Sequence, residues 1–230
     1  MPLTLQSRFV GNVYVIRCAG RIVLGPEVTE LESVLNTAAF EFSRFVLTVA
    51  DIDRLDSIGI GLLVRFAERL RRRGGDIRLA APPPFLTKLL ELTKLSKALQ
   101  AFATEEEAIL SFLLQRPADA TQRSAGPRVL VIDESADLCV FVRTVLRQYG
   151  FDVQSSCLVR DARILLQVDD VDYILVGPGI VQGAGQTILR SLTPLAPKAV
   201  PLQLEDDFKI RDAHEATQAL LQMFNLQSTA

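Results

Sequence analysis

Asp51-Ile52-Asp53-Arg54-Leu55-Asp56-Ser57-Ile58-Gly59-Ile60-Gly61-Leu62-Leu63 is the stretch on which the fold and function of this chain turn. The run before it, Phe45 to Ala50, is apolar and β-rich, as in a buried strand. After it, Ile58 to Arg72 places Leu62, Leu63, Phe66 and Leu70 on one helical face, and Gly74-Gly75 stops the helix. The polar pair Asp56-Ser57 therefore stands where sheet turns into helix, and the first peptide N–H groups of a helix have no partners there. Ser serves as a helix N-cap at such a place, and the same N–H groups and macrodipole favour negative charge. A phosphate on Ser57 would be tolerated by the fold, yet it would place about −1.5 to −2 charges on the surface of this corner. Asp56 is read either as orienting Ser57 or as a solvated strand end. Gly59 and Gly61 keep the first turn free of side-chain bulk, so that a partner backbone can approach it.

Upstream, Leu3 to Phe9 and Val13 to Cys18 flank Gly11-Asn12 and read as a hairpin, and a helix starts at Pro26 after Gly25. Downstream come a strand at Ile77 to Ala81, a helix at Phe85 to Leu92, and a short strand at Leu99 to Ala103. A capping box at Thr104 and Glu107 then opens a helix through Ile109, Phe112 and Leu113. This order implies an α/β fold with a mixed sheet carrying helices. Gln115 to Pro127 is rich in Pro, Ala and small polar residues and reads as a linker. It separates residues 1–114, with net charge +1, from residues 128–230, with net charge −4. The second half opens on the apolar strand Arg128 to Ile132. It continues as alternating helices and strands, at Ala136 to Tyr149, Phe151 to Ser155, Asp161 to Val168, Tyr173 to Val176, Gln186 to Leu192, Ala199 to Leu204 and Ala213 to Phe224. That is a shortened parallel βα series.

Composition narrows the function. One His, three Cys without C-x-x-C spacing and no H-E-x-x-H leave the common zinc sites without ligands. A net charge of −2 argues against nucleic acid as a partner, and no apolar run is long enough to span a bilayer. The N-terminus lacks a basic region followed by an apolar one, so the expected compartment is the cytoplasm, with reduced thiols. Cys18, Cys139 and Cys157 read as small core hydrophobes, and His214 as a solvent-facing helical residue. Arg69, Arg71, Arg72 and Arg73 form either an anionic docking patch or, as the macrodipole favours, a solvated last helical turn. The glycines of Gly177-Pro178-Gly179 and Gly183-Ala184-Gly185 lack the lysine of a phosphate-binding loop and read as a strand-to-helix connection. No cofactor is indicated. Without a nucleophile elbow, a His dyad or a metal cluster, the chain does not read as an enzyme.

Residues 1 to about 114 resemble a STAS domain, the module of bacterial anti-sigma factor antagonists. The resemblance rests on several stretches taken in order. They are the strand Phe45 to Ala50, Asp56-Ser57-x-Gly59-x-Gly61-Leu62-Leu63, the Arg-rich helix end with Gly74-Gly75, Ile77 to Pro82, Leu89 to Leu95, and Glu105-Glu106-Glu107-Ala108. It implies that Ser57 accepts phosphate from an anti-sigma factor with serine kinase activity and that a phosphatase removes it. The unphosphorylated form would bind that kinase partner through Asp56, Ser57, Ile58, Gly59 and Gly61. One departure is Val23, in Gly20-Arg21-Ile22-Val23-Leu24-Gly25, where family members often carry an Asp.

Residues 128–230 resemble a degenerate two-component receiver, a flavodoxin-like domain shortened by a strand. Asp133 and Glu134 match the acidic pair that helps bind Mg²⁺ in receivers, and are weak metal candidates here or a surface acidic pair. Gly177 stands where the phosphoacceptor Asp belongs, so the acceptor carboxylate is missing. The expected function is thus a non-enzymatic, phosphorylation-switched antagonist, for which a homodimer is compatible. Alternatives are a two-component-type signalling protein taking its input through the second half, or a STAS module that binds a nucleotide or lipid.

Overall fold

The computed structural model describes residues 1–115, 126–181 and 185–226. The chain divides into two compact units, Met1–Ala118 and Asp119–Ala230. Most of the expected linker, residues 116–125, lies outside the described residues, as do 182–184 of the glycine-rich connection.

In the first unit the elements are β1 (Thr4–Val10), β2 (Val13–Ile22), α1 (Pro26–Ala38), β3 (Arg44–Leu55), α2 (Ser57–Arg71), β4 (Asp76–Ala80), α3 (Pro84–Leu92), β5 (Gln100–Phe102) and α4 (Glu105–Leu114). The strands are ordered β5-β4-β3-β2-β1. The β1–β2 hairpin is antiparallel and every other pairing is parallel. Alternation along β3 sorts the layers. Phe45 meets Phe66 of α2 edge-on at 5.1 Å, whereas Thr48, on the other face, meets Glu105 of α4. The sheet is therefore covered by α2 on one side and α4 on the other, with Val15, Ile16, Phe45, Val46, Leu47 and Leu79 buried between.

The two longest strands run further than their apolar segments. β2 was expected to end at Cys18 and β3 at Ala50, but they stay paired through Gly20↔Ile52 and Ile22↔Leu55, with irregular register. Composition misleads here because in the β3 extension only Ile52 and Leu55 are buried, while Asp51, Asp53 and Arg54 face water. Pairing with β2 supplies the hydrogen bonds that hold this polar segment extended. The extension sets the starting point of α2.

The second unit contains β6 (Arg128–Ile132), α5 (Ala136–Gln148), β7 (Asp152–Ser156), α6 (Val159–Val168), β8 (Tyr173–Val176), α7 (Pro178–Val181), α8 (Gly185–Leu192), β9 (Val200–Gln203) and α9 (Ala213–Met223). Among the described residues its strands are all parallel, in the order β7-β6-β8-β9. β6 is central, and its Val129, Leu130, Val131 and Ile132 are fully buried, as an unbroken apolar strand in a parallel sheet requires.

Candidate functional site

The strand-to-helix corner after β3 is built around Asp56, not Ser57. Asp56 is extended, with φ −97° and ψ 178°, and is the N-cap of α2; its Oδ1 accepts the Gly59 N–H at 2.8 Å. Its Oδ2 accepts the Leu24 N–H at 2.8 Å, and its own N–H donates to the Ile22 carbonyl at 3.2 Å. One side chain thus starts α2 and fastens the β2–α1 loop to it. The backbone bonds from Gly59 and then from Leu24 hold the Asp56 carboxyl below the usual carboxylate range. Two readings made from sequence are corrected: Ser57 is not the cap, and Asp56 is not a bare solvated strand end, since it caps α2 and its oxygens accept backbone N–H groups.

Ser57 is the first residue of α2 and its side chain is exposed. Beside it Ile58 is 42% exposed, and Leu24, whose N–H is bound to Asp56, is 72% exposed. The corner presents Ser57 and Ile58 exposed next to each other in sequence, after an Asp56 carboxylate whose two oxygens each accept a backbone N–H. The glycines differ. Gly59 is buried, and a Cβ there would stand 2.7 Å from the Ile22 carbonyl oxygen and 2.7 Å from Leu55 Cδ1. The close approach it permits is that of α2 onto β2 and β3 within the chain, which corrects its reading as a partner contact. Gly61 is half-buried, and a Cβ there would meet only the end of the flexible Arg65 side chain at 3.1 Å.

A buried acidic residue after β2 was missed. Val23 is half-buried, but Glu27 in the first turn of α1 is buried and accepts from Arg21 Nε at 2.8 Å. Its own backbone N–H and Arg21 hold its carboxyl below the usual range. The signal was present, since Pro26-Glu27 places an acid in a helix's first turn. The Arg-rich end of α2 is tied down. Arg69 bonds Asn36, Arg71 donates to the Ala98 carbonyl at 2.6 Å and pairs with Asp76, and Arg73 donates to the Ala39 carbonyl at 3.1 Å.

The corresponding corners of the second unit are closed. Asp133, read as half of a surface acidic pair, is fully buried. Its Oδ1 accepts the Ser135 N–H and its Oδ2 the Gly179 N–H, each at 2.7 Å. A Cβ on Gly177 would lie 2.3 Å from that Oδ2. The Asp133 carboxylate thus fills the space into which a side chain at 177 would project, and glycine is the residue that fits. Glu134 is exposed. Among the described residues no group of three or more His, Cys, Asp and Glu is placed to hold a metal ion, and no helix is long and apolar enough to cross a membrane.

Comparison with known proteins places the first unit. Residues 4–108 match the STAS domain family. A protein of Thermotoga maritima named "Putative anti-sigma factor antagonist" is 25% identical over 68 residues. The match covers 30% of this chain and 60% of that protein, so the chain spans less than two thirds of its curated relative. A solved structure of the Bacillus cell fate determinant SpoIIAA in its phosphorylated form is 25% identical and covers 47% of this chain and 99% of its own, with TM-score 0.41. A response regulator from Thermotoga maritima is 19% identical, covering 43% of this chain and 94% of its own, with TM-score 0.35.

Proposed function

We propose that this chain is a partner-switching regulator of the anti-sigma factor antagonist kind. It binds a serine-kinase anti-sigma factor through the Ser57 corner, lets go when that kinase phosphorylates Ser57, and is reset by a phosphatase. The observation that carries the reading is the placement of Ser57. It is exposed at the start of α2, next to exposed Ile58 and directly after Asp56, whose carboxylate is engaged by the backbone of Gly59 and of exposed Leu24. The STAS match and the name of the curated relative support the class of partner.

The switch follows from charge and solvation. A partner that covers Leu24 and Ile58 gains from removing their apolar surface from water. Phosphate on Ser57 raises the local negative charge beside Asp56 and must be stripped of water for the same partner to dock. The helix N-terminus makes the phosphate compatible with the fold without making it compatible with the interface. Ile58 and Leu24 supply contact, Asp56 holds the corner, and Ser57 carries the signal.

The test is calorimetric titration of an anti-sigma serine kinase into the wild-type chain, Ser57→Ala and Ser57→Asp. Ser57→Ala binds like wild type, and Ser57→Asp binds at least about tenfold more weakly, a change of about 1.4 kcal/mol. Equal affinity for the two variants would remove the proposal.

A further inference from the structure

The outer side of α2 carries a cation that its surroundings leave unpaired. Ser57, Gly61 and Arg65 follow one another at four-residue spacing and share one side of the helix, away from the inward-turned Leu62, Leu63, Phe66 and Leu70. Successive positions in such a row stand about 5–6 Å apart between Cβ atoms. Helical side chains lean toward the N-terminus, and Arg65 carries its guanidinium back a whole turn. Its Nη1 lies 3.1 Å from where a Cβ on Gly61 would stand. The glycine thus gives the guanidinium its seat, one turn from Ser57. Among the described residues Arg65 makes no hydrogen bond or ion pair, whereas Arg69, Arg71 and Arg73 are all bonded. Both Arg65 and Ser57 are exposed.

We propose that Arg65 receives the phosphate of phosphorylated Ser57, laying the modified side chain along the first two turns of α2 in an ion pair within the chain. The inference rests on the reading of Ser57 as the switch residue and states how that switch is held. A phosphate on Ser57 Oγ brings three acceptor oxygens into the turn between Ser57 and Gly61, and the planar guanidinium offers them two parallel N–H donors. Asp56 does not compete for the guanidinium, because its two oxygens already accept the Gly59 and Leu24 N–H groups. The hydrogen at Gly61 is what lets the guanidinium lie so close to the helix, since a larger side chain there would meet Nη1. The pair spreads the effect of one phosphate. The surface closed to a partner then reaches from Ser57 across Gly61 to Arg65, two turns of helix instead of one residue.

The experiment uses the full chain with phosphoserine genetically encoded at position 57, in the wild-type background and with Arg65→Gln or Arg65→Lys. Phosphorus NMR follows the second ionisation of the phosphate, near pH 6 in a free phosphoserine. A paired guanidinium favours the dianion, so the phosphate should titrate about half a pH unit lower beside Arg65 than in Arg65→Gln, with Arg65→Lys between them. Every other charged group, Asp56 and Arg54 included, is common to the three proteins and cancels in the difference. The Arg65 Nε–H resonance, assigned by its loss in Arg65→Lys, should move downfield when Ser57 is replaced by phosphoserine. Coincident titration curves for the wild-type and Arg65→Gln phosphoproteins, or an Arg65 Nε–H that does not move, would overturn the proposal. The phosphate is encoded, so neither result depends on a kinase. Undiminished binding of the kinase by the phosphoserine chain would instead remove the switch and leave the ion pair standing.

Discussion

The two units turn the same local element in opposite directions. In both, a carboxylate just after a parallel strand receives two backbone N–H groups, one from the segment that follows it and one from a distant part of the chain. Asp56 after β3 takes Gly59 and Leu24, and Asp133 after β6 takes Ser135 and Gly179. In the first unit the next residue, Ser57, is left outside, with exposed apolar neighbours. In the second the carboxylate is fully buried, and the place facing it is held by a glycine that leaves no room for a side chain. A strand-to-helix corner is therefore not a site in itself. What separates a chemical handle from a structural knot is which atoms the neighbouring loop leaves uncovered.

The largest effect is expected where that knot is retied. Gly177→Asp, which introduces a carboxylate at this position, drives a Cβ to 2.3 Å from Asp133 Oδ2 and sets two carboxylates against each other in a buried space. It should destabilise the second unit by about 3 kcal/mol or more in urea unfolding without yielding an acetyl-phosphate-dependent phosphoaspartate. A stable variant that takes up phosphate would break the comparison. In the first unit Gly59→Ala meets the Ile22 carbonyl at 2.7 Å, where backbone cannot give way cheaply, and should cost about 2 kcal/mol in the same measurement.

Asp56→Ala removes the acceptor of two backbone N–H groups and should cost about 1–2 kcal/mol, read from the urea midpoint. Ser57→Ala should shift stability by less than about 0.5 kcal/mol, because the side chain is exposed and does not cap. The ratio of these two effects sharpens the comparison, since it separates the residue that builds the corner from the one that signals through it.

Acid should weaken the first unit in a defined direction. Burial alone would raise the Glu105 carboxyl, but hydrogen bonds from Thr48 and Arg8, and the charges of Arg8 and Arg17, outweigh it, so it titrates below its ordinary value, as does that of Asp56. Groups with a depressed folded pKa contribute stability above their unfolded pKa, about 4, and lose it as pH falls through the folded value. Denaturant midpoints should therefore hold from pH 7 to about 5 and decline below about 4. Glu105→Gln should flatten that decline.

Much of this was legible in the chain. The hairpin, the apolar strands, the helix from Pro26 and the Asp56-Ser57 corner all follow from periodicity and turn residues, because each depends on neighbours close in sequence. The capping role went to the wrong residue because Asp and Ser are both good N-caps. The choice between them was made by the extension of β3 to Leu55, paired with Ile22 of β2. The burial of Asp133 was hidden for the same reason, since an aspartate ending a strand reads as solvated until Gly177 and Gly179, far along the chain, fold over it.

The most direct test of the switch is phosphosite mapping of the chain isolated from its native cells, with the tryptic peptide Leu55–Arg65 as the readout. The account predicts a fraction of that peptide carrying one phosphate, placed by fragmentation on Ser57. Phosphate found only on other residues, with Ser57 bare under every growth condition in which the kinase partner is released, would contradict it.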